Sequence, residues 1–241
     1  MSQERLDKLL SSTGRWSRKE IRELVRQGRV LADGRPAARP EEKLDPEAAV
    51  IQVDGERVDC APFVYIMLHK PAGLLSATQD RRQKTVLDLL PGHLRRRGLF
   101  PVGRLDKDTT GLLLITDDGA LAHELLSPRK HVDKVYLARV EGRVDASDAA
   151  ALAEGMTLGD GTQCLPAGLE PLEDGSCCLV TLREGKYHQV KRMLAARGKP
   201  VLELKRLSMG NLVLDEGLKP GEWRFLTEKE QDGLKSILPA K

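Results

Sequence analysis

The chain has 241 residues, 40% of them hydrophobic, and a formal net charge of +3, which allows a sizeable core divided between two folding units. No apolar run approaches the roughly 20 residues of a membrane-spanning helix, and the first ten residues have no signal-peptide core, so we expect a soluble cytoplasmic protein. The four cysteines form no Cys-x-x-Cys pair and indicate neither a zinc site nor a disulfide framework. Aromatic residues make up 3% of the chain, which argues against a multi-aromatic platform for single-stranded bases.

Basic residues concentrate in three segments although the net charge is small. Residues 15–29 contain six basic and two acidic residues, residues 80–97 six and two, and residues 183–206 eight and two. Each segment is a candidate phosphate-facing surface, and each is also compatible with an ordinary solvated helix or loop.

Two short amphipathic helices and small strands are predicted at the start of the chain. The first helix places Leu6, Leu9 and Leu10 on one face, and the second begins at a capping box, Ser17 to Glu20. Strands with Asp-Gly turns at 33–34 and 54–55 follow. The basic residues on and near the second helix are Arg15, Arg18, Lys19, Arg22, Arg26 and Arg29.

This segment resembles a known RNA-binding module. The stretch "RLDKLLSSTGRWSRKEIRELVRQGRVLADGRP" is similar to the S4 domain, in which two basic helices precede small strands. The resemblance implies that the basic helical face contacts RNA backbone, without indicating what is done to the RNA. We expect an S4-like domain over residues 1–60 and a second domain over residues 61–241.

The second segment is predicted to contain more strands than β-α-β units. Apolar runs predict strands over 63–71 and 112–116, the latter followed by a turn at Asp118-Gly119 and a short helix. "KVYLARVEG" and "CCLVTLREG" predict two further strands, and residues 188–198 a helix that Gly198 ends. The pattern favours an α+β fold.

A cluster of charged residues precedes one buried strand. In "GRLDKDTTG", Arg104, Asp106 and Asp108 lie on the loop that enters the strand 112–116, and Gly111 permits a close backbone approach. A carboxylate at the end of a buried strand is either a structural salt bridge, part of ordinary turn and capping chemistry, or a reactive group. The pattern alone leaves these alternatives open.

Four motifs resemble those of the pseudouridine synthases and occur in that family's order. They are "HKPAGLLSAT", "GRLDKDTTG", "KVYLARVEG" and "REGKYHQVKRML". The last motif and the segment after it are most similar to the branch that modifies small-subunit ribosomal RNA. One departure is His69, where the first motif usually has Asn. The resemblance implies a catalytic domain with a largely antiparallel mixed sheet flanked by helices.

The resemblance also implies the reaction and its principal residue. A uridine in RNA is isomerised: the bond from ribose C1′ to N1 breaks, the base turns, and C1′ bonds to C5. Asp106 corresponds to the family's catalytic aspartate and could attack C1′ or remove a proton from C2′. The sequence does not choose between these routes, and Asp108 is expected to serve loop structure.

The same motif resemblance implies roles for several further residues. Lys191 is expected to keep the catalytic carboxylate ionised, Tyr136 to stack on the turned uracil and stand near the C5 proton, and Val190 to pack against the base. Arg104 is expected to brace the gap that the flipped uridine leaves, with pairing to a nearby aspartate as the alternative. Arg192 is expected to meet phosphate.

The predicted partner is ribosomal RNA, most directly 16S rRNA or a partly assembled small subunit, and the protein is expected to act as a monomer. We expect no cofactor, no metal and no membrane association. The alternatives are a 23S rRNA enzyme of the same family, a non-catalytic ribosome-associated RNA-binding protein, and a nucleoside glycosidase using Asp106 and Asp108 as a carboxylate pair.

Overall fold

The computed structural model describes residues 3–46, 48–127, 130–172 and 174–237, and the chain divides into two compact units. One unit contains residues Met1–Val64 and Leu90–Leu99, and the other contains Tyr65–Leu89 and Phe100–Lys241. Segment 90–99 therefore joins the first unit, although it follows the first strand of the second unit in the chain.

The described part of the first unit has three short helices and small antiparallel sheets. Its elements are β1 (Glu4–Arg5), α1 (Leu6–Ser12), α2 (Arg18–Arg26), β2 (Val30–Ala32), β3 (Arg35–Pro36), β4 (Lys43–Leu44), β5 (Ile51–Val53), β6 (Glu56–Val58) and α3 (Gly92–Arg95). The sheet order is β3-β2-β5-β6, and β1 pairs with β4. The capping box predicted for α2 is confirmed, because the Ser17 hydroxyl accepts from Glu20 N while the Glu20 carboxylate accepts from Ser17 N.

The second unit is built around one large sheet with helices against it. Its elements are β7 (Tyr65–Lys70), a 3₁₀ helix (Val86–Leu89), β8 (Phe100–Pro101), β9 (Thr110–Thr116), α4 (Gly119–Leu126), β10 (Lys134–Val140), α5 (Ala146–Ala153), β11 (Met156–Thr157), β12 (Gln163–Cys164), β13 (Gly168–Leu172), β14 (Cys177–Leu182), α6 (Gln189–Ala196), β15 (Val201–Met209), β16 (Leu212–Val213), β17 (Trp223–Phe225) and α7 (Glu228–Lys235).

The large sheet confirms the predicted α+β class. Its described strands run in the order β13-β14-β10-β15-β9-β7-β17, with β16 on β15 and β8 on β9. Among the described strands of this sheet, only the β9–β15 pair is parallel. Strands β7 and β9 lie inside the sheet and are buried on both faces, which explains their nearly continuous apolar sequences. Strand β10 alternates buried and partly exposed positions over most of its length.

The turn and short helix predicted from Asp118 correspond to the start of α4. Asp118 is the N-cap of α4 and Gly119 its first residue, and the buried Asp118 carboxylate accepts from Leu121 N at 3.0 Å and from the Tyr65 hydroxyl at 2.8 Å. Asp is favoured both at turns and at helix N-caps. None of the helices in the described parts of the chain is both long and apolar enough to cross a membrane.

Candidate active site

The loop before β9 is fixed by a buried lysine. Lys70, the last residue of β7, is fully buried, and its Nζ donates to the carbonyls of Pro71 at 3.1 Å, Lys107 at 3.1 Å and Thr109 at 2.9 Å. Burial lowers the pKa of Lys70 to about 8, although nearby carboxylates oppose this effect. Lys70 therefore ties the loop that carries Asp106 to the end of a central strand.

Gly111 allows β9 and β15 to approach each other. Its φ is +102°, and a Cβ built there would lie 2.2 Å from the carbonyl oxygen of Arg206. The parallel pairing sets Arg206 opposite Gly111, and the buried Arg206 donates from Nε to Leu112 O at 2.8 Å. The close approach predicted for Gly111 is confirmed, and it holds the end of the loop against the sheet.

Asp106 lies between two basic side chains. Its Oδ2 is 3.3 Å from Lys191 Nζ, and its Oδ1 is 3.5 Å from His188 Nε2. Lys191 also binds Asp108 Oδ1 at the shorter distance of 2.6 Å, and this hydrogen bond lowers the pKa of the Asp108 carboxyl. Asp108 is largely exposed, whereas Asp106 is mostly covered. Asp108 thus shares the lysine with Asp106, a role that the sequence does not predict.

Lys191 reaches the loop because α6 is amphipathic. Val190, Met193 and Leu194 are buried, while Lys191 and Arg192 lie at the edge of the helix. The N-cap of α6 is His188, a non-glycine residue whose backbone lies in the left-handed region with φ of 48°. Such a backbone conformation is uncommon and concentrates at functional sites.

The side chains predicted to hold the base line one cleft beside Asp106. Tyr136 from β10 and Val190 from α6 are both buried, and they line this cleft together with Leu182 and Leu204. Asp106 and Arg104 stand in its wall. The structure therefore brings a carboxylate, a phenol and an apolar surface together, an arrangement able to hold a planar base while a carboxylate reacts beside it.

The predicted RNA-contacting residues differ in whether their charged groups already have partners in the protein. Arg104 is exposed and has no ion-pair or hydrogen-bond partner among the described residues, so the pairing with a nearby aspartate is not formed in this structure. Arg192 donates to Tyr187 O at 3.3 Å and pairs with Asp160 at 2.5 Å. Its guanidinium is therefore already partly engaged.

The six residues of the first unit that are predicted to contact RNA are all exposed. Two of them already have carboxylate partners: Arg26 pairs with Glu23, and Arg29 binds Asp54 through both carboxylate oxygens at 2.6 and 2.7 Å. Among the described residues, no salt bridge holds the four others, which are Arg15, Arg18, Lys19 and Arg22.

Three residues of the second unit were not singled out from the sequence. The sequence does contain an indication of the role of Lys70, because a lysine within the apolar run "YIMLHKP" must bury its amine or break the strand. His188 and Tyr187 had no such indication beyond their place in the motif that contains Lys191, because only the folded loop places His188 beside Asp106 and stacks Tyr187 on it. Within the described residues, no group of three His, Cys, Asp or Glu side chains is arranged to hold a metal ion.

Comparison with known proteins identifies the family. Residues 64–196 match the family model described as RNA pseudouridylate synthase, and residues 4–50 match the S4 domain. The chain belongs to the RNA pseudouridylate synthase family. As a pseudouridine synthase it is an isomerase, and its S4 domain is an RNA-binding module.

Similar proteins cover nearly the whole of this pseudouridine synthase. An uncharacterised RNA pseudouridine synthase of Bacillus subtilis is 48% identical, over 94% of this chain and 96% of its own. The ribosomal small subunit pseudouridine synthase A of Vibrio cholerae is 40% identical, over 94% and 97%. A crystal structure of a pseudouridylate synthase is similar with a TM-score of 0.67 and 37% identity, over 95% of this chain and 99% of that chain.

Proposed function

We propose that this enzyme converts a specific uridine of 16S ribosomal RNA to pseudouridine and that Asp106 is its catalytic carboxylate. The observation that carries the proposal is the position of Asp106, paired with Lys191 at the edge of the cleft that Tyr136 lines. Relatives about 40% identical over nearly the full chain are named for the ribosomal small subunit, which supports 16S rRNA as the substrate.

The proposed reaction begins at the sugar of a flipped uridine. The ionised Asp106 either attacks C1′ or removes the proton from C2′, and in both routes the C1′–N1 bond breaks with its electron pair leaving on the uracil. The uracil turns within the cleft and C5 bonds to C1′. In the first route this new bond displaces Asp106 from C1′, and in the second Asp106 returns the proton to C2′ as the bond forms. The C5 proton then passes to solvent and N1 takes up a proton. Atoms and charge balance, and no redox partner or energy source is consumed.

The neighbouring residues have distinct proposed roles. Lys191 gives the ionised carboxylate a cationic partner 3.3 Å away. Tyr136 lines the space in which the base must turn, with its phenol available to the C5 proton, and Val190 packs against the base. Arg104, exposed and unpaired in the described structure, braces the gap left in the RNA and contacts phosphate.

The S4 domain is proposed to supply sequence-independent affinity for the RNA backbone. Its exposed basic residues without salt bridges are the strongest candidates for phosphate contacts, because paired guanidiniums must first leave their carboxylates. We place the domain boundary between residues 60 and 61, and we propose that the enzyme acts as a monomer in the cytoplasm without a metal or cofactor.

Tritium release tests the substrate assignment. RNA transcribed with C5-tritiated uridine loses one tritium for each uridine converted, so 16S transcript, 23S transcript and partly assembled 30S particles are compared with wild-type enzyme and with Asp106→Asn. Release by wild type from the small-subunit substrates alone supports the proposal. Release from 23S RNA alone contradicts the assignment of 16S RNA as the substrate. No release from any RNA, with binding intact, favours a non-catalytic RNA-binding protein.

A further inference from the structure

An exposed aromatic ring lies beside the proposed catalytic carboxylate. Tyr187 stacks on His188 with ring centroids 3.9 Å apart and an interplanar angle of 17°. Tyr187 is 73% exposed, and no other large hydrophobic residue in the described parts of the chain is as open. Because His188 covers one face of the ring, this exposure leaves the other face accessible to a ligand.

The ring pair stands on a fixed backbone. His188 adopts the left-handed conformation at the start of α6, and its carbonyl accepts from Arg192 N at 2.9 Å. The Arg192 side chain reaches back to donate to Tyr187 O at 3.3 Å, and Asp160 holds the same guanidinium. A platform already held in position loses little conformational freedom when a ligand stacks on it.

The platform is joined to the active site through His188. The imidazole that stacks on Tyr187 also lies 3.5 Å from Asp106 Oδ1. Tyr187 and His188 line a cleft of about 490 Å³. Its charged lining consists of two carboxylates, Asp80 and Asp106, and three exposed cations, Arg104, Lys107 and Lys186. An aromatic face bordered by cations is the combination that binds single-stranded nucleic acid.

The chemistry of the occupant follows from what the reaction does to RNA. The proposed function places the target uracil in the cleft lined by the buried side chains of Tyr136 and Val190. A uridine that leaves its stack also exposes a face of the neighbouring base, and covering that face recovers part of the unstacking free energy. We propose that Tyr187, backed by His188, is a stacking subsite for the unpaired nucleobase next to the target uridine, an inference that rests on the proposed function.

Substitutions at Tyr187 separate stacking from other roles. Loss of one base–aromatic stack corresponds to roughly a 5- to 150-fold loss of affinity. Tyr187→Ala should therefore raise the Kd and KM for 16S transcript within that range, whereas Tyr187→Phe, which keeps the ring, should stay within about twofold of wild type. The matched control is Val213→Ala, which removes another exposed apolar side chain from β16 and should leave both constants unchanged.

Single-turnover tritium release with saturating enzyme completes the test. The rate constant for Tyr187→Ala should equal that of wild type within about threefold, because the proposed subsite binds a flanking base and does not touch the reacting atoms. Once the converted uridine is mapped, 2-aminopurine placed on either side of it should be quenched by wild type and recover with Tyr187→Ala. Thermal melting checks that the variants are folded.

Three results would contradict the proposed stacking subsite at Tyr187. One is an unchanged Kd for Tyr187→Ala. Another is a loss with Tyr187→Phe equal to that with Ala, which would indicate a hydroxyl hydrogen bond. The third is a slower single-turnover rate with unchanged Kd, which would place Tyr187 against the turned uracil. If wild type releases no tritium, the proposed function fails, while the equilibrium binding measurements still test the subsite independently.

Discussion

Lys191 Nζ lies 3.3 Å from Asp106 Oδ2, so one lysine from α6 faces the carboxylate to which we assign the chemistry. The same Nζ is 2.6 Å from Asp108 Oδ1. Because Asp108 is largely exposed and Asp106 is mostly covered, water screens the shorter contact more strongly than the longer one. The longer contact is therefore the one expected to affect catalysis.

Removing the Lys191 charge should slow turnover. Lys191→Met leaves Asp106 without this cation, and kcat for tritium release should fall by roughly 10²- to 10³-fold, the loss typical of deleting one preorganised charged or donor group from an active site. Lys199→Met, which removes a lysine just beyond the same helix, is the matched control and should keep kcat within about twofold. Full activity of Lys191→Met would exclude an electrostatic role for this lysine.

Lys70 should affect both the catalytic loop and the dependence of stability on pH. Lys70→Met leaves three loop carbonyls without their donor and should lower the free energy of unfolding at pH 7 by roughly 1–3 kcal/mol and reduce kcat. Thermal or urea unfolding and tritium release measure the two effects. Loss of stability without any loss of kcat would show that Lys70 does not position Asp106.

The lowered pKa of Lys70 fixes the sign of its pH effect. Between about pH 8 and the ordinary lysine value of 10.5, the unfolded chain binds more protons at Lys70 than the folded protein does. Stability contributed by this group therefore rises with pH across that window. The difference in unfolding free energy, wild type minus Lys70→Met, should increase from pH 8 to pH 10, and a flat or falling difference would contradict the burial of a titrating amine.

Gly111 should not tolerate a side chain. In Gly111→Ala the new Cβ meets the Arg206 carbonyl at 2.2 Å on a backbone with positive φ, so we expect a loss of at least about 2 kcal/mol in unfolding free energy. Gly119→Ala is the control, because it lies in the first turn of α4 with nothing within 4 Å and should be neutral or slightly stabilising. Equal stability of the two variants would contradict the close strand approach.

The basic helical face should control the salt dependence of RNA binding. The triple variant Arg18→Ala, Lys19→Ala, Arg22→Ala should weaken binding to 16S transcript and lower the slope of log affinity against log salt by roughly 2, since each lost phosphate contact removes about 0.7–0.9. The control is the double variant Arg26→Ala, Arg29→Ala, whose guanidiniums are already paired with carboxylates. An unchanged slope for the triple variant would show that this helical face does not contact the RNA.

Local patterns predicted the elements whose causes are local. The Ser17 to Glu20 capping box depends on neighbouring residues, and the apolar runs of β7 and β9 reflect burial on both faces of the sheet. Gly111 is different: its close approach was expected from the sequence, but its cause is the distant Arg206. The motif resemblance identified the loop that carries Asp106. The roles assigned to Asp106, Tyr136 and Lys191 stay predictions.

What the sequence did not reveal depends on contacts between distant segments. Residues 90–99 join the first unit through packing that no local pattern encodes. The sharing of Lys191 between Asp106 and Asp108 requires α6 and the loop before β9 to be placed together, 83 residues apart for the Asp108 contact. The same holds for His188, whose distance to Asp106 depends on a left-handed backbone conformation that a histidine seldom adopts.

The most direct test compares Asp106→Asn with its matched neighbour Asp108→Asn. Both changes remove one negative charge that Lys191 contacts, but only one removes the proposed reacting carboxylate. Single-turnover tritium release from 16S RNA at saturating enzyme should be abolished in Asp106→Asn, with Kd within a few-fold of wild type, and should continue within roughly tenfold of wild type in Asp108→Asn. Turnover by Asp106→Asn, or equal loss in both variants, would contradict the assignment of Asp106 as the catalytic residue.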